Sequence, residues 1–348
     1  MRKIRAEIHL KSIVENAKTF KALTGKRLCA VVKADAYGHG AEETAFALQG
    51  VADCFAVALL SEAKAIKTPA CGKDVLILCP PIDLSEAVEA VQNGFVCTVT
   101  GITSARLIAR ASELCKTPAR VHLKVNTGMN RYGMGVSELG RVCSFFKQTA
   151  LVKVEGLFSH LHDPFGESAK KQRERFLQTE RVAKRYYPFL TRHLSATAGA
   201  LLGEDFAFDM VRVGLGLYGY LPLGANKKLP LKKAMTVYAT VVESRKFAYG
   251  GAGYGKELSE RERVKFLSVL RVGYADGFLR KKENGANGFK KNANNLCMDT
   301  CIRKGKYKRG EKTAVLTDAD ETAKMAGTIS YEVLCSATRR AERIYLYD

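Results

Sequence analysis

With 348 residues, 47% of them hydrophobic and 26% charged, the chain is long enough to bury a large core and to continue into a second domain, which excludes a disordered or fibrous protein. A formal charge of +21 raises nucleic acid and acidic membranes as partners. The basic residues are spread along the chain, however, with no zinc finger, RNP sequence or basic zipper and no apolar run near the roughly 18 residues of a membrane span, so neither partner is expected. In chain order, Met1–Glu7 lacks the apolar stretch of a signal peptide, which places the protein in the cytoplasm. Arg5–Leu10 alternates like a half-buried strand and Lys11–Leu23 has a helical pattern. Eight apolar runs follow, at Cys29–Lys33, Cys54–Val57, Val75–Cys79, Phe95–Val99, Val121–Val125, Val154–Phe158, Thr191–Ser195 and Met210–Val213. Amphipathic stretches such as Leu84–Gln92, Ser104–Cys115 and Ala169–Tyr186 lie between them. Strand and helix alternating eight times predict an α/β fold, an N-terminal (β/α)8 barrel over 1–225. An open doubly wound sheet would want a glycine-rich fingerprint after its first strand, and GHG after Lys33 is not one.

After Tyr220 the texture changes. Leu221–Pro230 reads as a linker, and Met235–Ser244, Val264–Val272, Ala314–Leu316 and Arg343–Tyr347 are short alternating runs with glycine punctuation. They predict a C-terminal mostly-β domain over 226–348, with which the first strand, 5–10, is a candidate to pack. Lys281–Asn295, rich in lysine, asparagine and glycine, reads as a mobile loop. The ten cysteines form no CxxC pair, and Cys297 and Cys301 have no histidine nearby, so reduced thiols and no metal site are expected.

The candidate chemistry falls at the ends of the barrel strands, the edge that carries function in such barrels. Lys33 closes the run before Ala34-Asp35-Ala36-Tyr37-Gly38-His39-Gly40, where a partly desolvated lysine can act as a free amine. Taken alone it is equally a surface lysine. Lys124 opens a glycine-rich loop containing Arg131, and His160 ends the sixth run. Ser195-Ala196-Thr197 and Arg212-Val213-Gly214-Leu215 follow the seventh and eighth, where barrels commonly hold phosphate. Any of these has a bland reading as a structural or surface residue. Their convergence on one predicted rim argues for a site.

VVKADAYGHG, LKVNTGMNRYGMG, GLFSH, HLSATAG, VRVGLGLYG, GYGKEL, GYADG, CMDT and ISYEV occur in the order and approximate spacing of bacterial alanine racemases, and span nearly the whole chain. The chain therefore resembles the alanine racemase family. That resemblance implies pyridoxal 5'-phosphate on Lys33, with its phosphate held by Tyr37, Thr197, Tyr331 and the backbone at Gly214 and Leu215. Arg212 would face the pyridine nitrogen, and Arg131 the phenolic oxygen and the substrate carboxylate. His160 would link Arg212 to Tyr254, the second base, lent by the other subunit of a homodimer. Met298, Asp299 and Tyr274 would line the substrate side and its entrance, and Lys124 would be carbamylated to brace Arg131. The implied role is supply of D-alanine for peptidoglycan. The sequence departs from the family at Asn126 for an aspartate, Ala196-Thr197 for Asn-Ser, Ser330 for an asparagine and His9 for an aspartate, and it lacks the usual hydrophobic strand pair between Gly277 and Cys297.

Inverting a stereocentre needs a base on each face of the substrate, which suits the pairing of Lys33 with Tyr254. A free tyrosine, with a pKa near 10, needs cationic neighbours to serve. Arginine only donates, so Arg212 would leave the ring nitrogen unprotonated and discourage transamination. The alternatives are a racemase preferring serine or another small amino acid, a non-catalytic pyridoxal-phosphate-binding protein of the same barrel, and a decarboxylase whose cysteine-aspartate segment is not evident.

Overall fold

The computed structural model describes residues 4–254, 264–280 and 292–347. Two compact units divide the chain: Ile13–Ala34 with Ala41–Lys232, and Met1–Ser12 with Asp35–Gly40 and Lys233–Asp348. Among the described residues no helix is long and apolar enough to cross a membrane, and no group of three His, Cys, Asp or Glu residues could hold a metal ion.

Strand β1 (Ile4–His9) belongs to the second unit. The first unit holds eight parallel strands: β2 (Arg27–Val31), β3 (Cys54–Val57), β4 (Val75–Ile77), β5 (Val96–Val99), β6 (Ala119–Lys124), β7 (Val152–Phe158), β8 (Thr191–His193) and β9 (Met210–Val213). Their spatial order, β8-β7-β6-β5-β4-β3-β2-β9, leaves a single seam between β8 and β9. A bridge between Ala196 and Arg212 spans that seam, and Arg192 reinforces it by donating from Nε and Nη2 to the Asp209 carboxylate. The barrel thus closes. Runs such as CFAV and VCTV are buried along their whole length because both faces of a parallel sheet are covered. Helices Leu84–Gln92, Ile102–Cys115, Val136–Lys147 and Ser168–Lys184 each bury one stripe, as their spacing predicts. Asp83 caps the first of these by accepting from the Glu86 N–H.

In the other unit β10 (Met235–Lys246) is the central strand. It pairs antiparallel with β1, β11 (Phe266–Leu270) and, through β12 (Asn292–Leu296) and β13 (Cys301–Lys304), extends one edge. Strand β14 (Lys312–Leu316) also pairs with β10, and β15 (Glu342–Leu346) runs parallel to β1. Val237, Ala239 and Val241 of β10 are buried on one face. Two helices, Ala319–Ala326 and Ser330–Ala337, join this mostly-β unit. The mobile loop expected over 281–295 is corrected in part: 292–296 form β12, paired across to Arg303 and Cys301, while 281–291 lie outside the described residues. NANNL carries no apolar alternation to announce a strand. Backbone pairing to β13 supplies what the side chains do not.

Candidate active site

Strand β2 ends at Val31, and the Val32 N–H still donates to the Ala56 carbonyl of β3. Lys33 follows, half-buried, at the C-terminal edge of the barrel. The next four residues, Ala34 to Tyr37, all take φ between 50° and 53°. For L-residues this left-handed conformation costs about 1–2 kcal/mol each, and four in succession require outside support. Glu62 provides some of it. Its Oε1 accepts from the Ala34 N–H at 2.7 Å, and its Oε2 accepts from the N–H groups of Ala58 and Leu59. One carboxylate therefore ties Ala34 to the end of β3. Further along, His39 is fully buried and Nδ1 donates to the carbonyls of Ala36 and Tyr37, which fixes its tautomer. Burial lowers its pKa to about 4. Gly38, at φ 82°, passes so close to the helix Ser330–Ala337 that a Cβ would lie 2.4 Å from the Leu334 carbonyl oxygen. Its own carbonyl accepts from Thr338 and Arg343, and Arg343 also pairs with Asp35.

Lys124 ends β6 and lies over the Phe158 ring at 4.6 Å. Burial, with Arg212 and Arg131 adding repulsion, lowers its pKa to about 7. The loop beyond is braced where the Met134 N–H donates to the Lys124 carbonyl and the Asn126 N–H to that of Met134, and Gly133 permits an approach that a Cβ would block at 2.6 Å from Val125. Asn126, in place of the family's aspartate, still organises this loop. Its Oδ1 accepts from the N–H groups of Gly128 and Asn130, and its Nδ2 donates to Asn130 Oδ1. Arg131 stands exposed just after it.

Arg212 on β9 is the most constrained cation of the barrel, 3% exposed. Nη1 donates to His193 Nδ1 at 2.9 Å and to the His193 carbonyl. Nη2 donates to the carbonyls of Ser159 and Leu194 and, at 3.4 Å, to His160 Nδ1. Every acceptor is neutral. Burial pulls its pKa down to about 10, which leaves it charged at neutral pH. Since Arg212 can only donate, His160 must present an unprotonated Nδ1. Burial first, then Arg212, Lys124, Arg131 and Lys33, hold this imidazole well below its ordinary pKa. No carboxylate is among the charges weighing most on Lys124 or His160. The cluster is electropositive.

Thr197, after β8, accepts at Oγ1 from the N–H groups of Gly214 and Gly216, so its own proton is free for an oxygen acceptor. Ser195 instead donates inward to the Phe206 carbonyl. Lysine amines, arginines and a hydroxyl suit a phosphate, a phenolate and a carboxylate, so the residues present fit pyridoxal phosphate.

In the other unit Tyr37 and Tyr331 are neighbours, ring centroids 5.9 Å apart, and burial raises the Tyr331 pKa. Tyr274, Met298 and Asp299 come together through the backbone: Tyr274 N–H donates to the Cys297 carbonyl and Ala275 N–H to that of Met298. Arg340 joins Asp276 and Asp299 at 3.3 and 3.1 Å. Tyr254 is 74% exposed, and Gly255–Leu258 of its motif lie outside the described residues. Sequence reasoning missed Glu62, His122, His193 and Arg340. Glu62 sits in an ordinary charged helix and Arg340 in the turn after Ser330–Ala337, and the two histidines are 71 residues apart.

The family described as "Alanine racemase, N-terminal domain" matches residues 8–222, and "Alanine racemase, C-terminal domain" matches 234–345. An alanine racemase of Clostridium novyi is 32% identical over 99% of this chain and 96% of its own length. The crystal structure of an alanine racemase from Streptomyces lavendulae superposes with a TM-score of 0.88 at 25% identity, covering 99% of this chain and 97% of that one. One from Bartonella henselae, described with covalently bound pyridoxal phosphate, gives 0.83 at 26% identity, covering 99% and 100%.

Proposed function

The chain belongs to the alanine racemase family of isomerases, and from that premise we propose that it interconverts L- and D-alanine with pyridoxal 5'-phosphate bound covalently to Lys33. The observation that carries this reading is the buried guanidinium of Arg212, bonded to neutral acceptors, with Lys33, Lys124 and Arg131 acting on the same His160. When bound, the cofactor supplies an electron sink that makes the substrate Cα–H acidic. Tyr37, Thr197, Gly214, Leu215 and Tyr331 hold its phosphate. Arg212 donates to the ring nitrogen and, unable to give up its proton at neutral pH, keeps the sink moderate. Arg131 binds the phenolic oxygen and the substrate carboxylate.

Lys33 Nζ takes or returns the Cα proton on one face of the substrate. The Tyr254 phenol of a second copy serves the other face, oriented through His160. Tyr274, Met298 and Asp299 line the substrate side, and the homodimer supplies D-alanine for peptidoglycan. Lys124 becomes a carbamate: only a neutral amine adds carbon dioxide, and a pKa of about 7 provides one at neutral pH. An N–C bond forms, a proton leaves to solvent, and the new negative charge offsets the surrounding cations.

Optical rotation tests the reading. L-alanine and D-alanine should each decay to zero rotation, faster than L-serine, in a yellow protein whose cofactor borohydride fixes to Lys33. Undiminished rotation, or label on another lysine, would contradict it.

A further inference from the structure

Arg212 keeps its orientation through a chain of bonds that continues into the barrel interior. Its Nη1–H donates to His193 Nδ1, so that nitrogen carries no proton and His193, if neutral, is protonated at Nε2. His193 Nε2 lies 2.9 Å from His122 Nδ1, which must then accept, leaving His122 protonated at Nε2. Arg212, which cannot accept, orients the chain at one end, and the His122 acceptor holds the His193 proton at the other. Both rings are buried, and burial lowers both pKa values, that of His122 to about 3. Nearby charge does not restore a proton. Arg120, Arg27 and Arg212 repel one, and Asp74, which attracts one, is already bound to Arg120, as is Glu155.

The surrounding packing matches this geometry. His193 stacks on Phe158 at 4.7 Å, nearly coplanar. Gly156 of β7 leaves room for the His122 ring, which a Cβ there would meet at 2.7 Å. His122 lines a cavity of about 240 Å³ with Asp74, Arg120, Glu155 and Thr191.

Resting on the racemase reading, we propose that His122 is a positioning residue: as last acceptor of the chain Arg212→His193→His122 it sets the His193 tautomer and so holds Arg212 as the donor to the ring nitrogen. Without an acceptor at its Nε2, His193 is free to move its proton to Nδ1. Donor would then face donor, and the guanidinium would lose a partner that fixes its plane.

Nitrogen-15 histidine NMR on the purified enzyme tests the chain without reference to turnover. In the wild type His122 and His193 should both show protonated Nε2 and bare Nδ1, with the His193 Nε2 proton exchanging slowly. His122→Phe should lose that slow proton and mix the His193 tautomers. It should also raise severalfold the ratio of transamination, in which alanine yields pyruvate as its amino group passes to the cofactor, to racemisation. His122→Gln, whose amide oxygen can accept, should restore both. A wild-type His193 protonated at Nδ1 overturns the proposal even if the Phe variant does not fold, and so does a folded Phe variant with unchanged tautomers and ratio. Wild-type protein that shows these tautomers but racemises no alanine overturns the reading of the site while the chain of bonds stands.

Discussion

Arg212 and Tyr254 lie at opposite extremes of exposure, 3% and 74%. The barrel group whose charge must not change is enclosed, with neutral acceptors on both terminal nitrogens. The C-terminal group proposed to move a proton is left open in its own chain. Arg212 finds its bonding partners within the barrel unit, whereas the role proposed for Tyr254 requires a second copy. The difference teaches that rigidity is invested where a hydrogen-bond donor must stay a donor, and access where a proton must move.

The sharpest break of this comparison is at Lys33. Lys33→Ala should abolish racemisation and the yellow colour together, read by polarimetry and absorbance, and retention of either would detach the barrel from the chemistry. Tyr254→Phe should slow proton removal from one enantiomer by roughly 10²–10⁴-fold, the usual contribution of a positioned acid–base group. Unequal primary deuterium isotope effects on the two enantiomers check it, and equal wild-type rates would leave the exposed half without a role. Arg212→Glu should raise transamination relative to racemisation by about tenfold, since a carboxylic acid can share a proton with the ring nitrogen where arginine cannot. Pyruvate release measures this.

Two smaller effects concern stability. Gly38→Ala should destabilise the protein by about 1–3 kcal/mol in thermal unfolding, because φ 82° is strained for alanine and its Cβ would meet the Leu334 carbonyl. His39 and His122, one in each unit, have pKa values lowered from 6.5 to about 4 and about 3. Below pH 6.5 the unfolded chain binds protons that the folded chain does not. Their contribution is therefore complete above pH 6.5 and is lost as pH falls through 6.5 toward 3. Urea unfolding across that range should show falling stability, and His122→Gln should flatten the decline.

Much of the barrel was legible because strands buried on both faces are written as unbroken apolar runs, and Cys54–Val57 and Met210–Val213 end where the runs do. The rim lysines, arginine and histidine were legible as strand-end polar residues. The left-handed turn was not. Ala34-Asp35-Ala36-Tyr37 carries no glycine or asparagine, and its conformation depends on tertiary contacts of Glu62 and Arg343 together with the buried ring of His39. The His193–His122 pair was hidden for the same reason, since no local pattern records a hydrogen bond between strands. The helix Ala319–Ala326 was within reach: Asp318 caps it, Asp320 and Glu321 fill its first turn, and Gly327 ends it at φ 71°. Arg340 bridging Asp276 and Asp299 could not be inferred from spacing.

Proton exchange at the substrate carbon reads the proposed base Lys33 directly. L-alanine in deuterium oxide should give D-alanine carrying deuterium at Cα, formed only by protein whose Lys33 is intact. L-alanine recovered with its original hydrogen and hand, from protein carrying pyridoxal phosphate on Lys33, would contradict it.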